Sequence, residues 1–248
     1  MTDDTADESD RTDAPRRAVN RRTLLIGGAG LVVGAGITEA ATALTSTSSN
    51  LGPAVPSPGE DLMTEHGVLK RLLLAYQEAS TQLAAGHTPP AAAISDAAQI
   101  IADFVEGFHE GLEEAYVFPR VRDQHATLVQ TLLIQHDRGR HLTTAISAAA
   151  AGDLTKPATR TALGRYLDLF VRMYAPHEAW EDTVIFPALR DATPQRTLNE
   201  LAERFSELQN QQYGDAALSQ MLDRVESVEQ QLGISDLATF TPPEVYTS

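Results

Sequence analysis

Hydrophobic and polar positions follow a helical period along most of the chain from Glu60 onward. In the first such segment the inward positions advance by alternating steps of three and four residues, and Ser80 fills the one polar place. These positions are Leu62, His66, Leu69, Leu73, Tyr76 and Leu83. Because residues at this spacing share one face, we expect an amphipathic helix whose histidine, His66, points toward the centre of the fold.

Three more segments show the same period. A second helix is predicted after Pro89-Pro90, a third over about Ala126 to Ala150, and a fourth from Pro157. Their inward polar residues are His109, His136, His177 and Glu181. Connections of roughly three to eight residues force sequential helices to run antiparallel. The pattern therefore predicts an all-α fold, an up-down-up-down four-helix bundle.

The period also sets the expected domain limits. The bundle is predicted over residues 60–192. Two further amphipathic helices, around Thr197 to Gln209 and Asp215 to Leu232, form a C-terminal extension over residues 193–238, and residues 239–248 form a tail. Since no ligand-like residue occurs in these two helices, we expect them to pack against the bundle or to serve an oligomer contact.

The N-terminal part of the chain reads as an export signal over residues 1–45, joined to the bundle by a linker over residues 46–59. The run from Asn20 to Leu25 resembles the twin-arginine signal, which implies export through that machinery across the bacterial cytoplasmic membrane into the periplasm or cell envelope. A retained anchor is the alternative. The apolar segment from Leu24 to Ile37 has fourteen residues, five of them glycine, and a spanning helix needs roughly 18 to 20.

The composition of the chain limits the partners and the metal ligands that it can use. With 42% hydrophobic residues in a chain of 248, the sequence can bury one sizeable core. The formal charge of −15 argues against nucleic acid as a partner, because such binding depends on clustered Lys and Arg. The absence of cysteine excludes disulfides, thiolate zinc sites and iron–sulfur ligation. Any metal must therefore be bound by nitrogen and oxygen.

An internal repeat is the strongest signal in the sequence. The stretch from His109 to Val121 aligns without gaps on the stretch from His177 to Leu189. Both copies read His-Glu-x-x-Glu-acid-x-x-apolar-Phe-Pro. Residues four apart on a helix lie one turn apart on the same face, so each copy presents one imidazole nitrogen and one carboxylate to a single point.

Two such ligand sets, joined by one further histidine each, predict two adjacent metal ions. The expected ligands are His66, His109, Glu113, His136, His177 and Glu181, with the two glutamates as bridges and the imidazoles as terminal ligands. A single histidine on an apolar face is more often a hydrogen-bonded core residue. Four imidazoles and two carboxylates buried together without a cation would, however, leave too many polar groups unpaired.

Other acids and histidines near these positions are weaker candidates. Glu110, Glu114, Glu178 and Asp182 are expected at exposed, solvated helix positions, and of these Glu110 and Asp182 lie close enough in angle to compete for a coordination place. His87, His125 and His141 are expected to lie outside the site. Each Phe-Pro pair is expected to bend a helix end over the site, since proline deletes a helical hydrogen bond.

These motifs resemble the hemerythrin-like, or HHE cation-binding, family over about Asp61 to Arg190. They are Glu65-His66, His109-x-x-x-Glu113 with Phe118-Pro119, His136-Asp137, and His177-x-x-x-Glu181-Asp182 with Phe186-Pro187. The resemblance implies a four-helix bundle that holds an oxo- or hydroxo-bridged pair of iron ions. Arg140 departs from the oxygen-carrying hemerythrins, which place a further histidine there, and this favours the more carboxylate-rich bacterial branch over a reversible oxygen carrier.

Three functions remain open from the sequence. The first is redox or oxygen chemistry at a di-iron centre, with dioxygen, peroxide or nitric oxide as the small-molecule partner. The second is metal or oxygen sensing or storage without catalysis. The third is a structural metal site, in which zinc or manganese ties the helices together.

Overall fold

The computed structural model describes residues 56–244, and within that range the chain is mostly helical and contains no strand. The α-helices are α1 (Pro58–Ala84), α2 (Ala91–Ile100), α3 (Glu110–Leu112), α4 (Phe118–Ala150), α5 (Pro157–Trp180), α6 (Phe186–Ala192), α7 (Gln195–Tyr213) and α8 (Ala217–Leu232). Wider π-helical turns form Ile101–His109, Glu113–Val117 and Glu181–Ile185, and a 3₁₀ turn forms Leu237–Phe240. The predicted all-α class is confirmed. The predicted export signal lies outside the described residues.

The ends of α1 follow from local chemistry. Ser57 caps the helix: its hydroxyl accepts a hydrogen bond from the backbone N–H of Glu60, and the Glu60 carboxylate accepts one from the backbone N–H of Ser57. Pro58 fits the first turn, where its missing N–H costs nothing. Beyond the last turn, Gly86 has a φ of 85°, a conformation that favours glycine. The helix thus begins two residues before the predicted start at Glu60.

The second and third predicted helices are separated by a kink instead of a loop. Helical backbone runs from α2 through α3 into α4, and the break comes at His125, with φ −129° and ψ 35°. We call α2, α3 and the π-helical segments Ile101–His109 and Glu113–Val117 the second rod. The third helix was predicted from about Ala126, so the pattern located the break correctly but missed the helical turns between Phe118 and the kink.

Four helical rods pack in a ring. The second rod contacts α1 and α4, and α5 contacts both α4 and α1. The interior holds large, fully buried side chains, which are Tyr76, Phe104, Phe170 and Tyr174. The two C-terminal helices pack on one side of this ring, α8 against α1 and α2, and α7 against α1. No helix within residues 56–244 is both long and apolar enough to cross a membrane.

Two of the three π-helical segments within residues 56–244 end directly before the Phe-Pro pairs. In each copy the phenylalanine N–H donates five residues back, from Phe118 to the carbonyl of Glu113 and from Phe186 to that of Glu181. Pro119 and Pro187 follow directly and have no N–H to donate, and a proline ring also clashes with the carbonyl four residues earlier. A widened turn relieves that clash, which accounts for its occurrence at the same place in both repeats.

Candidate metal centre

The structure brings all six predicted ligand side chains together in the centre of the ring. His66 comes from α1, His109 and Glu113 from the second rod, and His136 from α4. His177 lies in the last turn of α5, and Glu181 opens the π-helical segment that follows. Every one of the six is buried, and the two glutamates have no exposed surface.

The four imidazoles form two pairs. His66 and His109 have ring centroids 4.7 Å apart, and His136 and His177 have centroids 5.0 Å apart. In the second pair the two Nε2 atoms lie 3.3 Å from each other. Lone pairs that face each other at this distance repel unless a proton or a cation lies between them.

Each glutamate contacts one histidine of each pair. The Glu113 oxygens lie 3.5 Å from Nε2 of His109 and 3.5 Å from Nε2 of His136. Glu181 Oε2 lies 3.4 Å from Nε2 of His66 and 3.1 Å from Nε2 of His177. Within residues 56–244, three sets of possible ligand atoms each lie within 4.8 Å of one another: Glu113–His136–His177–Glu181, His66–His109–Glu113 and Glu110–Glu114–His136. The first two sets share Glu113. The two carboxylates therefore lie between the two histidine pairs, and each pair forms with them a cluster of ligand atoms close enough to hold one cation.

The carboxylate oxygens at the centre have no ordinary partner. Neither oxygen of Glu113 nor of Glu181 accepts a hydrogen bond from any group within residues 56–244. Burial, followed by repulsion from Glu181, raises the pKa of Glu113 well above its ordinary value. Buried carboxylate oxygens without donors are costly, and a metal ion is the group that satisfies them.

The outer nitrogen of every imidazole is held by a neighbouring side chain. The Nδ1–H of His66 donates to Asp182 at 2.7 Å and that of His136 to Glu114 at 2.9 Å. The same bond runs from His109 to Glu65 at 2.8 Å and from His177 to the amide oxygen of Gln135 at 2.9 Å; both acceptors immediately precede a ligand histidine in sequence. Since an ionised carboxylate or an amide oxygen only accepts, these bonds fix the proton on Nδ1 and leave the Nε2 lone pair directed inward.

A positively charged side chain binds the acidic residues at each end of this hydrogen-bond network. Arg140 of α4 donates to Glu110 and Glu114 at 2.7 Å each. In the other repeat, Lys70 of α1 lies 2.9 Å from Glu178 and 3.0 Å from Asp182. Arg140 and Lys70 each stand four residues after a ligand histidine, so the repeat extends to the counter-charges.

The pKa values of the surrounding groups reflect this burial and pairing. Burial lowers the pKa of His109 and of His136, which favours the neutral imidazole that can bind a metal. The hydrogen bond from His136 lowers the pKa of Glu114 to about 2, and Arg140 adds to that effect. Burial raises the pKa of Glu110 to about 8, although bonds from Tyr174 and Arg140 oppose the shift.

Aromatic rings cover the cluster symmetrically. Phe118 stacks on His136 with a centroid distance of 5.6 Å, and Phe186 stacks on His66 at 5.4 Å. The two Phe-Pro pairs thus place a ring over one histidine of each pair.

The two halves also differ in the side chain that packs beside the central cluster. On the side of His136, the Tyr174 hydroxyl donates to Glu110 at 2.7 Å and fills the space beside Gly139. The residue at the position corresponding to Gly139 in α1 is Leu69, a fully buried apolar side chain. One half of the site therefore has a phenol where the other has hydrocarbon.

The weaker candidates occupy other places than expected. Glu110 and Glu178 were expected on exposed faces, but the structure buries both, because Arg140 and Lys70 reach them from other helices. Asp182 lies at the outer nitrogen of His66 instead of in the central cluster. The remaining histidines lie outside the cluster: His87 and His141 are exposed, and His125 forms the kink.

Sequence reasoning missed the roles of Glu65 and Gln135, and it left Glu114 as a solvated acid. The signal was available in the repeat. Glu65 and Gln135 both stand one residue before a ligand histidine, and Glu114 and Asp182 both stand one residue after a central glutamate. Polar residues at equivalent places in both copies could have been assigned as hydrogen-bond partners of the imidazoles.

Comparison with known proteins agrees with this geometry. A family model described as "Hemerythrin HHE cation binding domain" matches residues 57–162 and again residues 127–240. The chain belongs to the hemerythrin HHE cation-binding family. The two matches start seventy residues apart, which is the separation between His66 and His136, and they overlap over residues 127–162.

The HHE chain also resembles curated proteins of mycobacteria. An uncharacterized protein of Mycobacterium tuberculosis and one of Mycobacterium bovis are each 44% identical to it over 187 residues, which cover 74% of this chain and 73% of theirs. No solved structure matches the chain significantly. Membership of the family and the His/Glu clusters together support metal binding as the function of the centre.

Proposed function

We propose that this protein holds a di-iron centre and carries out redox chemistry on dioxygen, peroxide or nitric oxide in the bacterial cell envelope. The observation that supports the proposal best is the set of four buried oxygens of Glu113 and Glu181, which lack hydrogen-bond donors in the described part of the chain and face four imidazole nitrogens. His66 and His109 would bind one ion, His136 and His177 the other, and the two glutamates would bridge them.

The donor set of imidazole and carboxylate fits iron. Imidazole and carboxylate suit iron and manganese, and the absence of thiolate removes the ligand typical of structural zinc sites. An iron pair supplies reversible electron transfer between the ferrous and ferric states. Zinc would leave the same ligands without redox activity, and this difference separates the redox proposal from a structural role.

The residues around the ligands prepare the site for an ion. The bonds at Nδ1 hold each imidazole in the tautomer that presents Nε2 inward and restrict rotation of its ring. Arg140 and Lys70 neutralise part of the negative charge of the surrounding acids. Phe118 and Phe186 exclude water from the outer faces of two histidines. These groups raise metal affinity and keep the centre dry.

The proposal also covers the direction of the four rods and the location of the protein in the cell. The four rods alternate in direction, up-down-up-down, with short connections at residues 85–90 and 151–156 and the kink at His125 as the places where the chain reverses. The N-terminal twin-arginine run directs export of the folded, metal-loaded protein, which would place the redox centre outside the cytoplasm. Cell fractionation before and after replacement of Arg21 and Arg22 by lysine tests the second feature, with retention in the cytoplasm as the expected result.

The decisive experiment is elemental analysis of the full-length protein purified in air, together with its near-ultraviolet and visible spectrum. We expect two iron ions per chain and absorption that changes on reduction and on addition of peroxide or nitric oxide. His109→Ala and His177→Ala should each lose metal, whereas His141→Ala, an exposed histidine of α4, should retain it. A preparation that contains zinc and shows no redox response would refute the redox proposal and favour the structural role.

A further inference from the structure

The groove between α4 and α5 is the counterpart of the groove that α8 covers between α1 and the second rod. The repeat relates α1 to α4 by seventy positions, as His66 and His136 show, and the second rod to α5 by sixty-eight, as His109 and His177 show. In the first half of the molecule, α8 packs against α1 and α2. The second half has the same arrangement of two helices.

The covered groove is fully apolar and closed. Leu72 and Ala75 of α1 are buried, as are Ile101 and Val105 of the second rod. One charged contact fixes α8 at the edge, where Arg71 of α1 donates two hydrogen bonds to the carboxylate of Glu229. The helix that covers this first groove, α8, is therefore an amphipathic helix with an apolar stripe and an acidic flank.

The counterpart residues line an open groove of about 590 Å³. Leu142 and Ala145 of α4 correspond to the buried Leu72 and Ala75, yet both are only partly buried. From α5 come Leu169, which is 42% exposed, and Met173; they correspond to Ile101 and Val105. We call this surface the α4–α5 groove; its apolar floor is open where the first groove is closed by α8.

Positive charge borders the α4–α5 groove. Arg138 and Arg172 flank the floor, and neither has an ion-pair partner among residues 56–244. His141 stands at the position equivalent to Arg71. This basic rim is notable in a chain whose formal charge is −15. A second copy of the same face would bring like guanidinium groups together, so the charge favours an acidic ligand over self-association.

We propose that the α4–α5 groove binds an amphipathic helix of a partner protein whose apolar stripe is flanked by Asp or Glu, in the manner in which α8 binds the first groove. Its apolar side chains contact Leu142, Leu169 and Met173, and its acids pair with Arg138 and Arg172. The site is separate from the metal ligands, so binding does not depend on the function proposed for the centre. An amphipathic helix in a groove is a common mode of protein recognition.

The test uses a labelled peptide of residues 215–234, which contain α8, titrated into the full-length protein and followed by fluorescence anisotropy. We expect saturable binding that weakens with added salt and with Glu226→Gln and Glu229→Gln in the peptide. Leu169→Glu in the protein should weaken binding roughly tenfold or more, because it places a carboxylate on the apolar floor. Leu74→Glu is the matched control, since Leu74 is 38% exposed on α1, and it should bind as the wild type does.

Five results would overturn the proposal. The peptide fails to bind, or it binds Leu169→Glu and the wild type equally. Loss of binding in Arg71→Glu instead of Leu169→Glu would show exchange with the resident α8. Sedimentation that reveals a dimer dissociated by Leu169→Glu would assign the groove to a second copy. Binding to phosphatidylglycerol vesicles that requires Arg138 and Arg172 but not Leu169, with no peptide binding, would assign the surface to a membrane.

Discussion

Replacing Gly139 by alanine tests the close packing beside the metal centre. A Cβ atom at this position would overlap the Tyr174 hydroxyl oxygen and lie 2.7 Å from Cζ and 2.9 Å from Cε2 of the same ring. Tyr174 is almost fully buried, and its ring packs against His177 with a centroid distance of 5.3 Å, so it has little room to move. The substitution should therefore displace the phenol and break its hydrogen bond to Glu110.

The magnitude follows from three contributions. Overpacking a close-packed interior costs about 1–3 kcal/mol. Loss of a buried hydrogen bond costs about 1–3 kcal/mol more. Alanine gains about 1 kcal/mol over glycine in a helix. The free energy of unfolding should fall by about 1 to 5 kcal/mol, which corresponds to a melting temperature lower by roughly 3 to 15 °C for a domain of this size.

The assay is thermal unfolding followed by circular dichroism, with metal content measured for every variant. Gly67→Ala is the matched control, because Gly67 lies in α1 next to His66 and a Cβ there meets no atom within 4 Å. That variant should be as stable as the wild type or slightly more stable. The effects of Gly139→Ala and Tyr174→Phe should also be non-additive, since Tyr174→Phe removes the overlapping oxygen. A Gly139→Ala protein with the stability of Gly67→Ala would refute the reasoning.

Three further predictions concern individual side chains. Glu65→Gln should weaken metal binding by about 10- to 100-fold in competition with a chelator, because it replaces the carboxylate that orients an imidazole, whereas the reciprocal Gln135→Glu should not weaken it. Burial, with repulsion from neighbouring acids, raises the pKa of Asp61 to about 6, so its ionisation opposes folding as the pH rises from the unfolded pKa of 3.8. At pH values above 6, Asp61→Asn should therefore increase the urea concentration at the unfolding midpoint. At pH values below 3.8 it should leave that concentration unchanged. Glu229→Gln should weaken the contact with Arg71 and increase hydrogen exchange in α8 while that in α5 stays unchanged.

The sequence predicted that the six candidate ligands come together, because the histidines lie on the inward stripes of their own helices. His66 and His136 could be assigned from local spacing, and the repeat supplied the two glutamates. The burial of Glu110 and Glu178 could not be predicted in this way. Their counter-charges, Arg140 and Lys70, lie on other helices, and no pattern within one helix reveals such contacts.

The differences in the backbone have a similar explanation. The third helix was predicted too short because the apolar stripe changes direction at His125, where the helix bends. The π-helical turns keep nearly the same apolar face as an α-helix over a few residues, so periodicity alone does not identify them. Pro119 and Pro187 were the available indication, since proline favours a local departure from regular hydrogen bonding.

The widened turn between Glu113 and Phe118 holds one residue more than an ordinary α-helical turn. If one residue, such as Ala115, were deleted, the backbone could close into an ordinary α-helix, and the residues on both sides of the deletion would keep nearly the same orientation around the axis. His109 and Glu113 would still face inward and Phe118 would still cover His136, although the clash at Pro119 would return. The same deletion in a regular part of the rod would instead rotate everything beyond it by about 100°, so the wide turn is the place where this rod can lose a residue without turning its inward side chains away from the centre.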